Sequence, residues 1–325
     1  EIGIINKMSA DDSDAHVLSD GFGNNAKQQL RELIRQNYNH PSVIVWGLSN
    51  ELHQMTDEIF GLYSELYEIA CKEDDTRLKT FADNQFYGRF LELPADVVGY
   101  NRYFGWYKEA GSAENFGEWL DLYHNEKEKR PVCLSEYGGG GAISQHKDNV
   151  DWESDIDPVG VRHYENYQSQ LHEILWKQFS VRKYLWAEFI WCMFDFASYG
   201  RTEGDTKSLN DKGLCTRERI PKDVYFFYRS VWSSEKTVYI TERRHEFRAC
   251  DVPFVKVYSN ADAVELCIND VSYGRISRCE LPNDESTVFV WENIKIKPDT
   301  KNKICAKAYF SDGTSRTDYA FWTGK

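Results

Sequence analysis

From residue 24 to about 235, short apolar runs alternate with stretches of helical spacing. In 24–37, Ala26, Leu30, Leu33 and Ile34 share one side of a helix. After the Asn39-His40-Pro41 break comes Val43-Ile44-Val45-Trp46-Gly47-Leu48, whose length and composition suit a strand buried on both faces. Ile59, Phe60, Leu62, Tyr63, Leu66, Tyr67 and Ala70 predict a second amphipathic helix, and 77–82 and 97–100 read as short strands. Phe116, Trp119, Leu120 and Tyr123 mark another helix face, and Pro131-Val132-Cys133-Leu134 another strand. The pattern then predicts a helix over 159–179, a last buried strand over 184–191, and a helix opened by Pro221 that runs through Trp232. Such alternation means parallel strands joined by right-handed crossovers. Five full strand–helix units are legible, with a remnant of a sixth at 2–6. A closed eight-fold barrel takes about 250 residues, so the pattern fits either an open α/β sheet or a barrel whose front lies upstream.

Beyond Val238 the period changes to two. Strands are predicted at 254–258, 263–269, 286–291, 303–310 and 316–321, joined by the turn pairs Asn269-Asp270, Asn283-Asp284 and Asp312-Gly313. Val264, Leu266 and Ile268 face one way, with Glu265, Cys267 and Asn269 on the other side. The expected architecture is a partial α/β barrel domain over 1–236 and an immunoglobulin-like β-sandwich over 237–325.

Composition narrows the partners. A net charge of −13 argues against nucleic acid or an anionic membrane, since either needs a basic face. No apolar stretch approaches the ~20 residues of a membrane span. Aromatic residues reach 15%, and their flat faces suit the C–H faces of sugars, although most belong in cores. The 8 cysteines show no CxxC pair and no metal-ligand spacing, and Cys133 and Cys192 read as buried thiols. The opening Glu1-Ile2-Gly3 carries no signal peptide and leaves the compartment open.

Two glutamates stand out, because Glu51 and Glu136 each end a buried run. In a barrel of parallel strands, side chains at those ends meet over one site, and two carboxylates there can form the pair that glycoside hydrolysis needs. The segment from Asn39-His40-Pro41 to Leu48-Ser49-Asn50-Glu51 resembles the acid/base signature of glycoside hydrolase family 2. Ser135-Glu136-Tyr137-Gly138 resembles its nucleophile signature, and Asn101-Arg102-Tyr103-Phe104-Gly105-Trp106-Tyr107 and Asn210-Asp211-Lys212-Gly213 are similar to further family segments. The resemblance covers nearly the whole chain. It implies strands four to eight of a (β/α)8 TIM barrel, with upstream domains of the same parent chain expected.

The resemblance also implies roles. Glu136 would be the nucleophile of a retaining exo-β-glycosidase, and Glu51 the acid that protonates the leaving oxygen and then the base that activates water. Asn50 would meet the sugar 2-hydroxyl, Tyr103 would hydrogen-bond the nucleophile, Asn101 would line the same wall, and Trp191 would form the sugar platform. Lys212 matches the Asn-x-Lys that binds the substrate carboxylate in β-glucuronidases, but similar segments occur in β-galactosidase-like members. Asp83 and Asn84 would line the pocket, while His53, Glu203 and Asp205 read as surface groups and Gly138 to Gly141 as a flexible loop. The sequence reading favours a β-galactosidase acting on β-linked oligosaccharides or glycosides. A β-glucuronidase and a non-catalytic carbohydrate-binding protein are the alternatives, and a homo-oligomer is left open. No cofactor is expected. Some family members bind Mg²⁺ or Na⁺, through ligands that would lie largely upstream.

Overall fold

The structure is a computed structural model that describes residues 20–52, 55–85, 88–282 and 286–325. The strand remnant expected at 2–6, His53 and the turn pair Asn283-Asp284 lie outside the described residues. The chain divides into two compact units. One holds the described residues of Glu1–Phe104, Glu109–Tyr137 and Lys177–Ile190; the other holds Gly105–Lys108, Gly138–Trp176 and Trp191–Lys325.

The first unit is built on a parallel sheet of five strands in sequence order: β1 (Val45–Asn50), β2 (Leu78–Asp83), β3 (Val98–Asn101), β4 (Val132–Tyr137) and β5 (Leu185–Ile190). Each falls where the apolar runs predict it. The helices that flank them are α1 (Asp20–Asn37), α2 (Asp57–Glu73) and α3 (Phe116–Glu126). In α2 the buried residues Ile59, Leu62, Tyr63, Leu66, Ile69 and Ala70 recur at three- and four-residue steps, which puts them on one stripe. Its start is fixed by Thr56, whose hydroxyl oxygen accepts from the Ile59 N–H at 3.3 Å. Arg35 of α1 clamps Glu73 of α2 with two bonds of 2.6 Å. At the sheet's N-terminal edge Asp74 accepts from the Trp46 ring N–H (2.9 Å) and from Arg77 (2.7 Å), and Arg77 also reaches the Val43 carbonyl (2.7 Å). Trp46 is thereby a core residue of β1. Among the described residues β1 and β5 each have one neighbour, and the five strands are fewer than the eight that close a barrel.

Helix prediction erred after β4. A single-turn helix, α4 (Trp152–Asp155), precedes α5 (Glu165–Phe179), which starts six residues later than the apolar spacing suggests. Val159 and Val161 are 77% and 64% exposed in the turn around Pro158 and Gly160, where the Gly160 N–H donates to the Asp157 carbonyl at 3.0 Å. The last helix, α6 (Asp223–Trp232), has Lys222 as its N-cap, so Pro221 sits just outside it rather than in its first turn.

In the second unit a short ladder joins β6 (Phe196–Ala197) to β7 (Leu209–Asn210). Eight more strands follow: β8 (Val238–Ile240), β9 (Phe247–Arg248), β10 (Asp251–Ser259), β11 (Ala263–Ile268), β12 (Val271–Ser277), β13 (Val288–Lys295), β14 (Lys301–Tyr309) and β15 (Ser315–Gly324). They form a three-stranded sheet, β13-β10-β8, and a five-stranded one, β12-β11-β14-β15-β9. The inward residues Val257, Leu266, Phe289, Ile304, Ala306 and Trp322 are fully buried in one cluster. β11 alternates as its sequence demands, with Val264, Leu266 and Ile268 buried.

Asn269 and Asp270 link β11 to β12 with φ of 50° and 65°, the two positive values of a type I′ hairpin turn. Replacing Asp270 by Val puts a β-branched residue in that region and is expected to cost roughly 1–2 kcal/mol, whereas Asp270→Gly should be near neutral. Its ion pair with Lys303 at 3.0 Å involves an 82% exposed carboxylate and contributes little. Denaturant unfolding of the two variants checks the order, and an equal loss in both would contradict the turn assignment.

Candidate active site

Parallel strands bring their C-terminal ends to one edge, and in the first unit that edge collects the acidic and amide groups. Asn50 ends β1 and Glu51 follows it with φ of 48°, a left-handed backbone that costs a non-glycine residue about 1–2 kcal/mol. The Glu51 N–H donates to the Ala82 carbonyl at 3.0 Å, so the sheet itself fixes that conformation. Asn101 ends β3 and lies in register with Glu136, one residue short of the end of β4. Ladder irregularities occur at Gly47 to Asn50 and at Tyr100 to Asn101, a device that re-aims side chains at strand ends.

The segment 101–103 ties the two glutamates together. The Asn101 amide Nδ2 donates to Glu51 Oε1 at 2.8 Å and to Asn50 Oδ1 at 3.0 Å. The Tyr103 hydroxyl donates to Glu136 Oε2 at 2.5 Å, and the Arg102 N–H donates to the Glu136 carbonyl at 2.9 Å. Asn101 is buried, while Asn50, Glu51, Tyr103 and Glu136 are half-buried, so the carboxylates remain reachable. The Arg102 guanidinium lies over the Trp119 ring at 4.9 Å. Burial pulls its pKa down to about 10, against the opposing field of buried Asp83. The structure therefore brings Asn50, Glu51, Asn101, Tyr103 and Glu136 to one place. It adds Ser135, which sequence reasoning missed: its hydroxyl donates to Asn101 Oδ1 at 2.7 Å.

Trp191 and Lys212 belong to the second unit. Trp191 follows β5 and meets Phe196 edge-on, ring centres 5.8 Å apart. Lys212 is buried. Its ammonium donates to the Tyr107 hydroxyl at 3.1 Å and faces the Trp106 ring at 5.9 Å. Asn210 Oδ1 accepts the Lys212 N–H at 3.1 Å, which fixes the Asn-x-Lys turn. Buried Lys222 holds this region by donating to the carbonyls of Gly141 (2.6 Å) and Asp211 (2.8 Å) and to Asp195 Oδ1 (2.8 Å). Even so, desolvation lifts the Asp195 carboxyl to about 6.

Several expectations need correction here. Gly138 to Gly141 are all buried, not a loose loop. A Cβ on Gly139, Gly140 or Gly141 would stand 2.7 Å from Trp106, 2.4 Å from Asp211 and 2.5 Å from Gln168 respectively. Glycine is there because neighbouring groups fill the space. Glu203 is tied to Arg201 and only 15% exposed, not a solvated group. Asp205 is exposed, as expected; it bonds Ser144 and, with Asp195 and Asp211, lines a cavity of about 240 Å³. Cys192 is half-buried, not fully buried like Cys133, and burial raises the two thiols to about 11 and about 12. Among the described residues, Asp148, Glu242 and His245 bring donor atoms within 4.8 Å of one another. The Arg248 guanidinium pairs with Asp148 and lies 2.8 Å from Glu242, so a side-chain cation already serves that cluster.

Parallel βα units with two glutamates at the C-terminal strand edge are the arrangement in which a barrel of parallel strands presents a carboxylate pair. Comparison with known proteins makes this specific. The model of the glycosyl hydrolases family 2 TIM barrel domain matches residues 2–237, and a domain of unknown function (DUF4982) matches 252–316. The chain belongs to glycosyl hydrolase family 2, and its parallel sheet is part of that family's TIM barrel. A β-glucuronidase of Bacteroides fragilis is 38% identical over 277 residues, covering 85% of this chain and 38% of that protein. The crystal structure of an FMN-binding β-glucuronidase from Faecalibacterium prausnitzii aligns with a TM-score of 0.83 at 31% identity, over 99% of this chain and 46% of that one. A Bacteroides fragilis protein provisionally named a β-galactosidase aligns with a TM-score of 0.83 at 31% identity, over 94% of this chain and 44% of that one. The chain thus spans less than half the length of these relatives.

Buried His172, whose Nδ1 lies 2.8 Å from the Tyr228 hydroxyl, underlies Gly138. Burial lowers its pKa to about 3. The unfolded chain, with an ordinary histidine near 6.5, binds one more proton between those values, so stability falls as pH drops from about 6.5 towards 3. In His172→Gln the slope of unfolding free energy against pH should be shallower there by up to about 1.4 kcal/mol per pH unit. An unchanged slope would contradict a neutral buried imidazole.

Proposed function

We infer that the protein is a retaining β-glucuronidase of this family. The observation that carries the hydrolase reading is that one short segment donates to both glutamates, Asn101 to Glu51 and Tyr103 to Glu136. In the first step Glu136 attacks the anomeric carbon, the glycosidic C–O bond breaks, and Glu51 gives its proton to the departing oxygen. In the second step Glu51 takes a proton from water, the water oxygen bonds to the anomeric carbon, and Glu136 leaves as a carboxylate. The short bond from Tyr103 favours the charged form of Glu136 that both steps need. Asn50, held by Asn101, is assigned to the sugar 2-hydroxyl and Trp191 to the platform under the ring.

Glucuronides are favoured over the galactosides that the sequence alone suggested. Relatives from Bacteroides fragilis and Sus scrofa, 38% and 28% identical, are named β-glucuronidases. Lys212, buried and set by Asn210, offers the cation that a C6 carboxylate requires. The galactosidase reading keeps the support of one structural relative.

Two expectations follow for the enzyme in its natural full length. Glu136→Gln should lower turnover of an aryl β-glucuronide by at least about 10³-fold, and undiminished turnover would refute the nucleophile assignment. Lys212→Ala should cut kcat/KM on the glucuronide about 10²-fold and leave any activity on the matching galactoside within about twofold. Equal losses on the two substrates would return the choice to galactosides.

A further inference from the structure

Asn101 makes three side-chain bonds, and their directions are constrained. Its Nδ2 carries two hydrogens and meets two acceptors, Glu51 Oε1 and Asn50 Oδ1, at 2.8 and 3.0 Å. Its Oδ1 accepts from the Ser135 hydroxyl at 2.7 Å. Rotating the amide by half a turn would set its oxygen against two other oxygens, one of them a carboxylate. Asn101 is 3% exposed, so an Oδ1 without Ser135 would be a buried acceptor lacking this donor.

The backbone makes room for Ser135 specifically. A Cβ on Gly99 would lie 2.8 Å from Ser135 Oγ and 2.9 Å from Ser135 Cβ. Gly99 is the residue of β3 two before Asn101, and Ser135 is the residue of β4 just before Glu136. A glycine in a buried four-residue strand weakens it unless something fills the space. Here the serine side chain fills it and is held under the amide.

We propose that Ser135 is a positioning residue for the reaction. Through Asn101 it fixes the donor that faces Glu51 and the orientation of the Asn50 amide beside it. This rests on the glycosidase reading above. A loosened amide leaves Glu51 Oε1 without a donor held in place. The pathway is Ser135 to Asn101 to Glu51, with no contact between Ser135 and substrate required.

The test is a double-mutant cycle in the full-length enzyme, read as kcat and KM on an aryl glycoside that the enzyme turns over, with Glu136→Gln as control. Ser135→Ala should lower kcat about tenfold and leave KM within about twofold. Ser135→Thr, which keeps the hydroxyl, should restore kcat. In an Asn101→Ala background, Ser135→Ala should cost less than about twofold more, because its route is already gone. Unfolding temperatures measured in parallel separate this from a stability loss, which Asn101→Ala would not cancel. If Glu136→Gln is inactive but Ser135→Ala keeps the wild-type kcat, or costs its full tenfold on top of Asn101→Ala, the positioning role is wrong and the hydrolase reading stands. If Glu136→Gln retains activity, the hydrolase reading itself fails.

Discussion

Everything at the candidate site depends on one segment, Asn101 to Tyr103, donating hydrogen bonds to two glutamates at the ends of β1 and β4. Side-chain donors carried at and just past the end of β3 are aimed at the two carboxylates by the backbone that bears them. The local backbone is shaped to the same end. Glu51 accepts a left-handed conformation and the ladder slips at the ends of β1 and β3, costs that make sense where a side chain must be aimed rather than packed.

In the second unit a different constraint governs. Lys222 is fully buried, and its three acceptors are two backbone carbonyls and Asp195. A buried ammonium keeps its charge only if each of its hydrogens finds an acceptor. It therefore dictates where Gly141 and Asp211 run, and Asp211 in turn sits 2.7 Å from His163. The glycine run after Glu136 is packed against Trp106, Asp211 and Gln168 by the same logic. Lys212 inherits its placement from the same surround, with Asn210 and Tyr107 as its own partners.

Much of this was legible in the sequence because burial leaves a direct trace there. All five parallel strands were visible as apolar runs, and β11 as a strict alternation. Glu51 and Glu136 were visible because a charged residue at the end of such a run needs a reason. What stayed hidden was shorter or depended on partners far along the chain. β8, β9 and α4 hold two to four residues each, too few for any period to show. β12 was hidden by Gly274 and by its exposure, with Val271 63% exposed. Valines at 159 and 161 mimicked a helix start although the turn at Pro158 and Gly160 leaves them in solvent. Ser135 carried no signal of its own, since its meaning comes from Gly99 and Asn101 on the neighbouring strand. The buried setting of Lys212 was hidden for the same reason, since its partner Tyr107 lies far along the chain.

The most direct measurement is to trap the covalent intermediate. An activated 2-fluoro-glucuronide, incubated with the full-length enzyme and followed by peptide mass spectrometry, should place one glucuronyl ester on the peptide holding Glu136, and on that residue by fragmentation. An ester on Glu51 or on any other side chain, or inactivation with no ester at all, would contradict the account.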